Sequence, residues 1–166
     1  MILSSTFRKR ITEVLKDKFP DIPVYGFPEI SKGYRVPCFF VGLTKDMIGN
    51  AAINAKGTLQ RDMDWQITYL IKDPKEEELY TVSELIKKAF SEQDTHNRYG
   101  AFVLHVADRY VEVKNLSFTL SGGDYTEMIA TFSLSFKDDL EYEDDTVLME
   151  HVYTDVSYEK EAENGV

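Results

Sequence analysis

Apolar and polar residues alternate most clearly over residues 110–137, where two runs face each other across Ser121-Gly122-Gly123-Asp124. In the first run Leu116, Phe118 and Leu120 alternate with Asn115, Ser117, Thr119 and Ser121. In the second, Met128, Ala130, Phe132, Leu134 and Phe136 alternate with Ile129, Thr131, Ser133 and Ser135. A period of two places one set on each side of a sheet, so each run is a strand with one buried face. The Gly-Gly pair between them predicts a tight hairpin turn, with Gly122 and Gly123 supplying the positive φ that such turns demand. An isolated hairpin is marginal in water, so the rest of the chain must add strands and a layer that covers the apolar face.

Residues 5–19 carry Phe7, Ile11, Val14, Leu15 and Phe19 on one helical stripe, with Ser4, Ser5 or Thr6 available as caps and Pro20 ending the helix. Residues 21–36 read as a connection containing a short edge strand at 24–27. Residues 37–44 are apolar on both parities, which suits a central strand with its proline at the start. Residues 45–59 show neither period and predict a long exposed loop or a flexible hairpin tip. Met63, Trp65, Ile67, Tyr69 and Ile71 mark another half-buried strand over 63–72, with Leu70 out of phase. Asp73-Pro74-Lys75-Glu76 signals a helix start, and Leu79, Val82, Ile86, Ala89 and Phe90 form the buried stripe that follows. A polar turn over 91–99 and a short strand over 101–106 lead into the hairpin. The expected architecture is α+β: a mostly antiparallel sheet of four or more strands with two amphipathic helices packed on one face. Residues 1–140 make a single domain.

Charge changes this picture at one end only. Of the net charge of −10, residues 138–166 supply 11 acidic residues and Lys160, a sum of −10, while residues 1–137 hold 18 of each sign. The arm 141–166 is thus an acidic and partly disordered extension. The neutral body lacks the basic footprint of a nucleic-acid-gripping protein. The lone Cys38, the order of the N-terminal charges and the absence of a long apolar run predict a cytosolic protein with no disulfide, signal peptide or membrane contact.

Candidate chemistry is sparse. His96, His105 and His151 lie in different segments, none with a second ligand at metal spacing. Cys38 sits in an apolar run, where a buried inert thiol is the ordinary outcome. Asp62 and Asp64 share a strand face, as solvent-facing charges commonly do. The glycines match no phosphate or dinucleotide loop, and residues 138–145 lack the spaced glycine of a calcium loop. No catalytic residue, metal or cofactor is expected, which moves weight from enzyme to interaction protein.

The order of segments and several local patterns resemble the tail terminator proteins of bacteriophages and prophages of Gram-positive bacteria. The residues that carry the resemblance are Lys18-Phe19-Pro20 after the first helix, Arg35-Val36-Pro37-Cys38-Phe39-Phe40-Val41, and Asp64-Trp65-Gln66-Ile67-Thr68-Tyr69 with Lys72 before the second helix. Phe132-Ser133-Leu134-Ser135-Phe136, running toward Leu148-Met149-Glu150, completes it over roughly residues 5–153. The resemblance implies a homohexameric ring on the end of the tail tube that stops polymerisation and offers a surface for joining to the head. Its partners would be other copies, the tail tube protein and a head completion or connector protein, with DNA passing through without specific binding. It implies assembly in the host cytoplasm and residence at the head-proximal end of the virion tail. A connector or completion protein is the structural alternative, and an acidic decoy is the alternative motivated by charge alone. A closing ring needs two different patches per subunit. Candidates for these and for the tube contact are Lys45, Met47, Ile48, Asn50, Ile53, Lys56 and Arg61 near the 45–59 segment, and Val147, Met149, Val152 and Tyr153 on the C-terminal arm. The Ser/Thr face of the hairpin is mild enough for a neighbour to cover.

Overall fold

The computed structural model describes residues 2–27, 33–49, 58–92 and 102–139. Its elements are α1 (Ser4–Lys18), β1 (Val24–Gly26), β2 (Cys38–Gly49), β3 (Thr58–Ile71), α2 (Glu76–Ser91), β4 (Val103–Val106), β5 (Arg109–Gly122) and β6 (Thr126–Asp139). The strands form one six-stranded sheet in the order β1-β2-β3-β6-β5-β4. Every pairing is antiparallel except β1 with β2. This is the expected α+β architecture.

Both helices cover the same face of the sheet. Phe7, Ile11, Val14 and Leu15 of α1 and Leu79, Val82, Ile86, Ala89 and Phe90 of α2 are buried in one core with Met63, Trp65, Ile67 and Tyr69 of β3 and Met128, Ala130, Phe132 and Leu134 of β6. Phe7 packs on Phe136, Phe19 on Phe39, and Phe90 on Phe132, with ring centroids 4.9–5.1 Å apart. A second, smaller cluster lies on the opposite face. There Cys38, Phe40 and Leu70 are covered by Tyr25, Phe27 and Val36, so the out-of-phase Leu70 is buried by its own chain.

Four local expectations are corrected. The region 45–59 is not a loop throughout. Residues 45–49 continue β2 and pair with 60–64 of β3, because the backbone ladder persists after the apolar alternation stops. The register slips by one residue between Leu43 and Lys45, and this bulge is what hides the strand from a periodicity test. Asn50, Ile53 and Lys56 lie outside the described residues. Second, α1 begins after Leu3 without a side-chain cap. The Ser4 hydroxyl instead donates to Asp46 (3.1 Å) and accepts from Arg61 (2.7 Å). Third, α2 begins after Lys75, not after Asp73. Asp73 takes φ 49°, a left-handed turn that Asp tolerates better than most residues, so the helix starts later with Glu76, Glu77 and Glu78 against its positive end.

The fourth correction concerns the hairpin. β5 and β6 pair down to Gly122 opposite Thr126, but neither Gly122 nor Gly123 adopts positive φ. The left-handed residue is Asn115, at φ 55°, where β5 gains one residue relative to β6 between Lys114 and Ser117. Before this bulge Val111 and Val113 point into the core. After it the inward set is Leu116 and Phe118. The strand keeps its apolar face inward only because the bulge switches its parity.

Candidate assembly surface

The inward parity of β3 and β6 does not end with apolar residues. One step past Met63 stands Arg61, and one step past Phe136 stands Asp138, both on core-facing positions. Their side chains are 6% and 3% exposed. Burial of a charge is costly unless it is paired, and here the pairing is dense. Arg61 donates to Asp46 through Nε (2.9 Å) and Nη2 (2.6 Å), to the Ile2 carbonyl (2.6 Å) and to Ser4 Oγ, and lies 3.6 Å from Asp138. Asp138 accepts from the Ile2 amide (3.2 Å) and faces Arg109 at 3.6 Å, while Arg109 donates to the Lys137 carbonyl.

Two cations and two carboxylates thus tie the chain's first residues, β2, β3, β5 and β6 into one knot. Hydrogen bonds from Arg61, with a smaller contribution from Ser4, hold the Asp46 carboxyl below the usual carboxylate range against the opposing effect of burial. The same hydrogen bonds from the Asp46 side raise Arg61 further.

The knot roots the distal arm of the β2–β3 hairpin. β1 pairs only with Phe39, Phe40 and Val41, so beyond Val41 the outer edge of β2 meets no strand among the described residues. On this arm Lys45 is exposed, and so are Met47 (48%) and Ile48 (55%), large apolar side chains held outside the core. Arg61 is different. It is buried, and its guanidinium is hydrogen-bonded to Asp46, Ser4 and the Ile2 carbonyl within the subunit. Val147, Met149, Val152 and Tyr153 lie outside the described residues, as do His96 and His151.

Away from the helices the sheet presents a hydroxyl and amide surface. Ser117 and Thr131 hydrogen-bond across β5 and β6 (2.9 Å), Ser133 donates to Asp64 (2.8 Å), and Gln60 donates to Ser135 (2.7 Å). Asp62 and Asp64 are members of this ladder. Burial pushes the Cys38 thiol up to about 11, so it is not a thiolate at neutral pH. The His105 ring stacks on Tyr110 at 4.5 Å. Among the described residues no three His, Cys, Asp or Glu side chains could hold a metal ion, and no helix is long and apolar enough to cross a membrane.

Asp46 and Asp138 match no motif. The signal for Arg61 and Asp138 is parity: each continues an apolar inward set on neighbouring strands, where opposite charges can meet.

An α+β body with an open β2 edge bearing the exposed Met47 and Ile48, and a sheet face of hydroxyls and amides, offers surfaces that a partner can cover. The comparison with known families agrees. Residues 6–147 match the family described as phage tail terminator protein, and the chain belongs to that family. It is a structural component of a phage tail. Among solved structures, a chain of the virion of a native gene transfer agent particle shares the fold, with a TM-score of 0.54 at 9% identity over 81% of this chain and 97% of that one. No curated protein matches the sequence.

Proposed function

We propose that the chain forms a ring on the end of the tail tube, stops tube polymerisation there and presents a surface to which the head is joined. The observation that carries this reading is the exposed pair Met47 and Ile48 on a hairpin whose root is locked by Arg61, Asp46 and Asp138. Apolar side chains held rigidly in water favour association, because their burial against a partner recovers roughly 25 cal/mol per Å² of apolar area. A second patch is needed for a ring to close, and the Ser/Thr face of β5 and β6 supplies a mild one.

In this reading the ring has six copies, and the remaining partners are the tube protein on one face and a head completion protein on the other. DNA passes through without specific binding. The ring assembles in the cytoplasm of the host, which the resemblance makes a Gram-positive bacterium. The C-terminal arm, with Val147, Met149, Val152 and Tyr153, adds contacts between neighbours.

Solution mass with and without purified tube protein tests the proposal. A ring mass, alone or on tubes, is the expected result. A strict monomer that ignores tubes would refute it.

A further inference from the structure

The solvent stripe of α1 is basic, and Asp138, near the end of β6, lies against Ile2 just before that helix. Ser5, Arg8, Lys9, Thr12, Glu13 and Lys16 line a shallow groove along the helix. The helix as a whole carries Arg8, Lys9, Arg10, Lys16 and Lys18 against Glu13 and Asp17, five minus two or +3. By contrast α2 carries Glu76, Glu77, Glu78 and Glu84 against Lys87 and Lys88, a net of −2. Residues 140–166 hold nine acidic residues and Lys160, a net of −8. The two charges are opposite in sign and joined through one chain.

The exit point of the arm is fixed. Asp138, one residue before the end of β6, accepts from the Ile2 amide and lies against Arg61, which holds Ile2 and Ser4. The end of β6 thus stands against the residues that lead into α1. Four carboxylates follow at once, at Glu141, Glu143, Asp144 and Asp145. Six residues past Asp139 span up to roughly 20 Å, about the length of a 15-residue helix at 1.5 Å per residue. An extended segment of that length is enough to follow the groove that Arg8, Lys9 and Lys16 line.

We infer that the stripe of α1 is a docking surface for this acidic block of the same chain, with Lys9 and Lys16 as its main contacts and Arg8, which lies over Gly26, adding charge at the wall. The contact covers the basic face of α1 in the free subunit and goes beyond the ring reading, on which it does not depend. Any acidic partner of α1 has to displace the arm first.

Zero-length carbodiimide coupling on the full chain, read by mass spectrometry after mixing isotope-labelled and unlabelled protein, tests this. The expected result is intrachain links from Lys9 or Lys16 to Glu141, Glu143, Asp144 or Asp145. Their yield should fall by about fivefold when salt is raised from about 0.1 M to 1 M, since the screening length shrinks from about 10 Å to 3 Å. The same fall is expected in the E141Q/E143Q/D144N/D145N chain for links to the remaining arm carboxylates, with acylation of Lys9 and Lys16 rising while that of Lys75 and Lys114 stays unchanged. Links only between chains, or links spread over Lys72, Lys75, Lys88 and Lys114 as readily as Lys9 and Lys16, would overturn the inference.

Discussion

Replacing Arg61 with Met keeps the aliphatic bulk of the side chain and removes the cation at the centre of the knot. Asp138, 3% exposed, would keep only Arg109 at 3.6 Å and the Ile2 amide, and Asp46 would lose both hydrogen bonds from the guanidinium. Breaking one partner of a buried pair costs about 3–5 kcal/mol, because the surviving charge is left desolvated. Asp46 is more exposed than Asp138 and recovers water, so the lower end, about 3 kcal/mol, is expected.

Trp65, the single tryptophan, is 1% exposed and reports unfolding through its emission. With a urea dependence of about 2 kcal/mol per M, the midpoint should fall by about 1.5 M at unchanged slope. Arg61→Lys, which keeps the charge but not the forked geometry, should fall by less than half of that. Adding Asp138→Leu to Arg61→Met should recover part of the loss, since it removes the most deeply buried carboxylate left behind, while the more exposed Asp46 is solvated. A midpoint for Arg61→Met within about 0.3 M of wild type would show that the pairing is not what holds this end of the sheet.

Other expectations follow from single positions. A Cβ on Gly42 would lie 1.9 Å from the Phe27 ring, so Gly42→Ala should expel Phe27 from the minor cluster and lower stability by about 1–3 kcal/mol in thermal denaturation. Gly122 has open space at its Cβ position and no left-handed φ, so Gly122→Ala should be stabilising by about 0.4–1 kcal/mol, whereas a positive-φ turn would make it destabilising. The Asp46 carboxyl is depressed in the folded state. Its contribution is therefore complete above the unfolded value of about 3.9 and is lost as pH falls through the lower folded value; an acid titration of stability should show this limb shrink in Asp46→Asn.

Much of the fold was legible because its strands obey period two and its helices show one apolar stripe each. The antiparallel pairing of β5 with β6, the helices on one face and the burial of Trp65 and Phe132 follow from that pattern, whereas the pairing of β3 with β6 does not. What escaped has a common cause. Periodicity fails where the chain gains a residue, as at Thr44 and Asn115, yet the switch from Val111 and Val113 to Leu116 and Phe118 was itself a record of the bulge.

Side-chain caps were misassigned for a different reason. A serine that suits a helix start also suits a buried arginine, and only tertiary contact decides which it serves. Of the surface candidates, Lys45, Met47 and Ile48 do stand exposed on one strand. Arg61 read as a surface cation because a charged residue at a strand end usually is one, and its burial rests on Asp46 and Asp138, 15 and 77 positions away in the chain.

The central claim is that this subunit ends a growing tube. Purified tube protein polymerised with increasing amounts of the chain and imaged by negative-stain electron microscopy tests it directly. The account predicts shorter tubes, each carrying a ring-shaped cap at one end only, and a weaker effect for a Met47→Glu/Ile48→Glu variant that keeps its fold. Tubes of unchanged length with bare ends, or the chain bound along their sides, would contradict it.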